Sequence, residues 1–285
     1  MGAVYIHVGY GRTATTFMQK HVFHRLKGIQ YFNKKESLFI KSYTLSGDDR
    51  FRERAMELEM ACDGKPMFFT DEGLIAHSPY SQLPRLKDIF PDATIVLTIR
   101  NQMSYLYSRY AHEVTRGYLG QKYWDVPEYS EWIGMKGGLL SGLLSYNMMY
   151  AAIKKLFTDV RVLFFEEYVK DWSIVATGCD CEFDNQIPVE ADKDKNASAH
   201  KINDVIDRYN HVHSGILSGL FFRLNSDFSK SRQPIKRVEC TPEDILDANV
   251  AGSTLRDIYL RENILFQEAL GRNLPPAYFW KGLSE

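Results

Sequence analysis

Four short segments of the chain are predominantly apolar, and they are widely spaced: AVYIHV (3–8), PMFF (66–69), ATIVLTI (93–99) and VRVLFF (160–165). Runs of this length, rich in β-branched and aromatic residues and showing no polar alternation, read as strands buried on both faces. Between them the apolar period lengthens to that of a helix in TTFMQKHVFHRL (15–26), NQMSYLYSRYAHEVTRG (101–117) and GLLSYNMMYAAIKKLF (142–157). Strand and helix in alternation predict an α/β fold of three layers, a central parallel sheet covered on both sides. Ligands in such sheets sit at the carboxyl ends of the strands, so the turns after residues 8, 69, 99 and 165 are the places to search.

The last third differs. Residues 199–225 and 241–270 have helical patterning, separated by SDFSKSRQPIKRVECTPED (226–244). Thr241-Pro242-Glu243-Asp244 supplies a cap, a first-turn proline and acids, a helix start. Residues 173–198 show no periodicity and read as a long loop. The expectation is one domain over 1–285, with a nucleotide-binding α/β core at 1–172 and a mainly helical part at 199–285.

Length and composition change this picture little. The 285 residues are 45% hydrophobic and 25% charged with a net charge of −1, so no global basic field gathers nucleic acid. No apolar run approaches the ~20 residues of a membrane span, and no leader pattern precedes Val4; the chain reads as cytoplasmic. Cys62, Cys179, Cys181 and Cys240 are too scattered for a disulfide scaffold. Cys179-Asp180-Cys181 invites a metal reading, but no matching Cys/His pair lies near it, and reduced thiols in a loop are the plain alternative. His211 and His213 read as structural, and no metal site is expected.

The first turn, VGYGRTATTF (8–17), has the setting of a phosphate-binding loop. Gly9 and Gly11 permit a sharp turn and close approach, Ala14 is small, and Thr15 and Thr16 open a helix whose amides and dipole face the loop. A nucleoside-triphosphatase loop would carry glycine and lysine where Ala14 and Thr15 stand. The second anchor is in TIVLTIRNQMSYLYSRY (94–110): Arg100 follows a strand end, and Ser108 lies eight residues on in the next helix. A guanidinium fork and a hydroxyl suit a phosphate. Together the anchors suggest a nucleotide phosphorylated at both ends.

At this point the chain resembles the sulfotransferases that use 3′-phosphoadenosine 5′-phosphosulfate (PAPS). Arg12-Thr13-Ala14-Thr15-Thr16-Phe17-Met18 follows their 5′-phosphosulfate loop with Ala14 in place of glycine, and Arg100, Ser108 and Tyr110 fit their 3′-phosphate motif. RVLFFEEYVKD (161–171) is similar to the family's later strand and acidic turn, and ENILFQEALGRNL (262–274) to the closing helix of many bacterial members. The resemblance implies a P-loop-like fold and PAPS as co-substrate without a metal. Arg12 would take the place of the lysine that contacts the bridging oxygen, stabilising charge on the leaving phosphate. Its high pKa suits that electrostatic role and not proton donation. The nucleotide contacts implied are Gly11, Arg12, Thr13, Ala14, Thr15, Thr16, Arg100 and Ser108.

A hydroxyl acceptor loses a proton as it attacks, which calls for a base near the loop. KPMFFTDEGLIAHSP (65–79) offers Glu72 directly past the strand end, with His77 as the rival and Asp71 as a capping or orienting acid. Carbohydrate-modifying members of the family often have glutamate here and small-molecule members histidine. Glu72, with the aromatic stretch at 117–133, therefore points to a carbohydrate or glycolipid acceptor, while a protein tyrosine or a small-molecule phenol stays open. Two segments are candidate acceptor contacts: the aromatic stretch GYLGQKYWDVPEYSEWI (117–133), as a wall or as core packing, and HRLKGIQYF (24–32). Lys230, Arg232, Lys236 and Arg237 form a basic cluster that would close over the 3′-phosphate or an acidic acceptor, or be a solvated loop. Two alternatives stay open: a P-loop kinase or nucleoside triphosphatase using ATP and magnesium with Asp71 as metal ligand, and a non-catalytic nucleotide-binding protein. Oligomeric state is not legible.

Overall fold

A computed structural model describes residues 2–76, 79–116, 129–184 and 250–279. In chain order the elements are β1 (Val4–Gly9), α1 (Thr15–Phe17), β2 (Leu26–Lys27), β3 (Gln30–Phe32), α2 (Leu38–Ser46), α3 (Asp49–Ala61), β4 (Met67–Thr70), α4 (Gly73–Ala76) and α5 (Pro79–Ile89). There follow β5 (Thr94–Ile99), α6 (Gln102–Arg116), α7 (Tyr129–Leu143), α8 (Tyr146–Lys154), β6 (Val160–Phe164), α9 (Phe165–Tyr168), α10 (Ser173–Thr177), β7 (Glu182–Phe183) and α11 (Val250–Leu270).

Five strands form one sheet in the order β3-β4-β1-β5-β6, every pairing parallel, and β2 pairs with β7 in a separate antiparallel ribbon. The chain is therefore an α/β protein with a central parallel sheet. The register sorts side chains by face. Tyr5 is opposite Phe68, and His7 is opposite both Thr70 and Val96. This face packs on Met18, Val22, Phe23, Tyr168 and Val175. The other face carries Val4, Ile6, Val8, Phe69, Leu97 and Phe164, all buried; there Phe69 meets Phe32, Phe39 and Phe90, and Phe164 meets Tyr278. Both faces are covered, which explains strands without polar alternation.

The described residues gather into two compact units. One comprises residues 2–76, 79–102, 141–184 and 258–279 and holds the whole sheet; the other comprises 103–116, 129–140 and 250–257. In the second unit Tyr110, Tyr129 and Trp132 form a buried aromatic cluster. The Trp132 indole N–H donates to Glu113 at 3.0 Å, and Arg109 donates to the other oxygen of that carboxylate at 2.7 Å. Tyr129, Trp132 and Ile133, the end of the aromatic stretch, are thus core packing; residues 117–128 lie outside the described residues.

Several expectations are corrected. The helix expected over 15–26 is three kinds of turn: α over Thr15–Phe17, π over Met18–Val22 and 3₁₀ over Phe23–Arg25. Met18, Val22 and Phe23 are all fully buried, and a widened turn brings residues four and five apart to one side. The helix expected over 142–157 is divided at Ser145, whose hydroxyl donates to the Glu262 carboxylate, so α7 ends and α8 begins there. A fifth parallel strand, β3, falls in the segment 24–32, making its end a sheet edge. The loop expected from 173 contains α10 and β7, both too short for any period to register; its continuation, 185–198, lies outside the described residues. The segment 199–249 does too, with the basic cluster, His211, His213 and Cys240, as does His77. Among the described residues no helix is long and apolar enough to cross a membrane.

Candidate active site

The carboxyl ends of β1, β3, β4, β5 and β6 bring five connections to one edge of the sheet. The turn after β1 is shaped by side chains behind it. Thr13 donates to the carbonyl of Tyr10 at 2.6 Å, Tyr168 of α9 to the carbonyl of Thr13 at 2.6 Å, and the Arg100 guanidinium to the carbonyl of Arg12 at 3.0 Å. In a trans peptide the N–H points opposite to the C=O of the same unit. Tethering the carbonyls of Arg12 and Thr13 backward therefore turns the amides of Thr13 and Ala14 the other way. These outward amides are the donor set a phosphate requires.

The glycines serve this turn differently from expectation. Gly11 is not at positive φ; the left-handed positions are Arg12 at φ 74° and Ala14 at φ 54°. A Cβ on Gly9 would lie 2.0 Å from the Thr98 hydroxyl, whereas one on Gly11 would meet nothing within 4 Å. Gly9 is required by close approach of β1 to β5, and Ala14 holds a conformation that glycine adopts more easily. Thr15 is buried and Thr16 exposed.

Arg100 is partly buried, its guanidinium 4.3 Å from the centre of the Phe165 ring. Burial pushes its pKa down and the carboxylate of Glu166 pushes it back up, while Arg12 adds repulsion. The two guanidinium groups thus lie close enough to repel, and an anion held between them would relieve that repulsion. The main chain around Arg100 is fixed from three directions. Tyr146 donates to its carbonyl at 2.6 Å, Glu166 accepts from the Asn101 amide at 2.8 Å, and the Asn101 side chain reaches the Ala277 carbonyl at 2.6 Å. Next to it Gln102 and Asn263 of α11 exchange two bonds, at 2.6 and 3.1 Å. Ser108 and Tyr110 are buried on α6 within the second unit.

Glu72 follows β4 and is half-buried. The Thr15 hydroxyl donates to its Oε2, and Lys34 lies 3.2 Å from its Oε1. Burial raises its pKa, but the Thr15 bond, Lys34 and the neighbouring His7 outweigh burial and hold the carboxyl below its ordinary range. It is a carboxylate at neutral pH, directly joined to the first loop. Asp71 is buried and its Oδ1 accepts from the Gly73 amide at 2.8 Å, the capping role considered for it.

Beneath the loop lies a polar chain that sequence reasoning missed. His7, fully buried, bridges Thr70 at 2.9 Å and Thr98 at 3.0 Å; Gln19 reaches Thr70 at 3.4 Å and Thr98 reaches Thr13 at 3.4 Å. Burial drives the His7 pKa down to about 4, so the ring is neutral and can donate through only one nitrogen. Lys34, Phe165 and Tyr168 were missed as well. Lys34 follows the unrecognised β3, and the other two sit in the acidic turn after β6.

No family model matches the chain, and no curated protein sequence matches it. Among solved structures the fold is shared with a sulfotransferase from Alicyclobacillus acidocaldarius, at 15% identity and a TM-score of 0.56, covering 98% of this chain and 99% of that one. A looser superposition, with a TM-score of 0.43 and 9% identity, covers 96% of this chain and 99% of a sulfotransferase domain from the curacin biosynthetic pathway. The central parallel sheet and flanking helices are thus a P-loop-like arrangement of the kind seen in a solved sulfotransferase.

Proposed function

We propose that this chain is a sulfotransferase that moves a sulfuryl group from PAPS to an acceptor hydroxyl, on a carbohydrate or glycolipid. The observation that carries the proposal is the Arg100 guanidinium lying against the first loop, on the sheet edge where Glu72 meets Thr15. A doubly phosphorylated adenosine finds there a charged fork from β5 and outward amides after β1. The donor supplies an activated sulfuryl group on a nucleotide phosphate. Glu72, held ionised, accepts the proton of the attacking hydroxyl. The acceptor oxygen bonds to sulfur as the bond from sulfur to the phosphate oxygen breaks on the opposite side. Arg12 and the amides of Thr13 and Ala14 meet the charge left on that phosphate. Ser108 joins the 3′-phosphate contacts on sequence spacing alone. The carbohydrate acceptor rests on glutamate, rather than histidine, as base.

Thermal unfolding with adenosine 3′,5′-bisphosphate and with ATP–magnesium tests the donor. The proposal expects the bisphosphate to raise the melting temperature; a rise with ATP–magnesium alone overturns it in favour of a kinase or nucleoside triphosphatase. Sulfuryl transfer from labelled PAPS to a panel of oligosaccharides, glycolipids and phenols tests the acceptor. Bisphosphate binding with no transfer to any acceptor would point to a non-catalytic nucleotide-binding protein.

A further inference from the structure

At the opposite, amino-terminal edge of the sheet, a cavity of about 320 Å³ is lined by Tyr5, Lys27, Pro66, Glu182 and both Cys179 and Cys181. The two cysteines belong to a tight turn after α10. Cys179 and Cys181 both donate their amides to the carbonyl of Ala176, at 2.9 and 3.1 Å, and the Cys181 thiol reaches the same oxygen at 3.5 Å. The residue between them, Asp180, is left-handed at φ 50°. Its carboxylate is held by Arg161 at 2.7 Å and by the Tyr5 hydroxyl at 3.2 Å. A left-handed residue folds the chain back on itself, and cysteines bridge when their Cα atoms are ~4.4–6.8 Å apart. The folded turn gathers the two cysteines, one residue apart, around the single Ala176 carbonyl and against the same cavity.

We infer that Cys179 and Cys181 form a reversible thiol–disulfide site, entered through this cavity, whose oxidant is a small-molecule disulfide. The two thiols are unlike. Cys179 is 1% exposed, whereas Cys181 is half-buried beside the opening. The interaction of the two neighbouring thiols lowers the pKa of Cys181 and raises that of Cys179. Attack therefore begins at Cys181. Its thiolate displaces one thiol from the incoming disulfide and forms a mixed disulfide. Cys179 then gives up its proton and attacks the Cys181 sulfur, releasing the second thiol. The protein loses two protons and two electrons, and the small disulfide takes them up to become two thiols. This inference does not depend on the proposed sulfuryl transfer.

The test is to treat the full chain with glutathione disulfide and follow each cysteine by intact mass and peptide mapping. Cys62 is an internal reference, since burial raises its pKa. The peptide spanning residues 179 and 181 should become two hydrogens lighter before Cys62 acquires glutathione, and dithiothreitol should reverse the change. In Cys179→Ser the reaction should stop with glutathione on Cys181. Stable glutathione on either cysteine of the wild type, or both thiols intact when Cys62 is fully modified, overturns the inference. The wild-type measurement decides the matter alone if the variant does not fold.

Discussion

Replacing Arg100 separates its role toward a ligand from its role in the loop. The side chain donates to the Arg12 carbonyl at 3.0 Å and lies 4.3 Å from the Phe165 ring, so any change there perturbs the turn as well. A comparison of two nucleotides removes that ambiguity. Loop damage weakens adenosine 3′,5′-bisphosphate and adenosine 5′-monophosphate together and cancels in the ratio of their dissociation constants. A lost contact to the 3′-phosphate affects only the bisphosphate. A hydrogen bond to a charged group contributes about 1.5–3 kcal/mol, which is roughly a 10- to 150-fold preference for the bisphosphate in the wild type. Arg100→Ala should bring that ratio close to unity, and Arg100→Lys should leave an intermediate value by keeping charge without the planar fork. Isothermal titration calorimetry at fixed ionic strength measures both constants. A ratio unchanged in both variants refutes the 3′-phosphate assignment, however much the absolute affinities fall.

Four further outcomes are expected. Glu72→Gln should leave bisphosphate affinity intact while turnover falls by roughly a hundredfold or more; retained turnover would move the base elsewhere. Lys34 lowers the Glu72 pKa, so Lys34→Ala should shift the acid limb of the pH–rate profile to higher pH, and an unmoved limb would sever this pair from proton transfer. The folded-state pKa of His7 is depressed from 6.5 to about 4, so the unfolded chain binds the extra proton first. Stability should fall as pH drops through that window, and His7→Gln should flatten the decline in denaturant titrations; an equal slope in both proteins refutes the assignment. Ala14→Gly should relieve a left-handed alanine and raise stability by about 1 kcal/mol, a gain that unchanged denaturation midpoints would rule out.

The long strands were readable because burial on both faces leaves them mostly apolar and β-branched with no regular polar alternation, as in Thr94–Ile99. The edge strand Gln30–Phe32 was not, because three residues of mixed polarity have no period. Losing it also lost Lys34, whose partner Glu72 is 38 residues away. The loop motif was legible in its residue types, while the means of holding it were not: Tyr168 reaches Thr13 across 155 residues of sequence. Nor did the letters distinguish the glycines. Gly9 is constrained by Thr98 on another strand, and Gly11 by nothing nearby.

The rearward fastening of the first turn has a kinetic consequence. Its bonds from Thr13, Tyr168 and Arg100 form when the chain folds, so an arriving anion need not organise the backbone. Association should then be governed by charge attraction over distance: raising salt slows it, and no slow isomerisation follows capture.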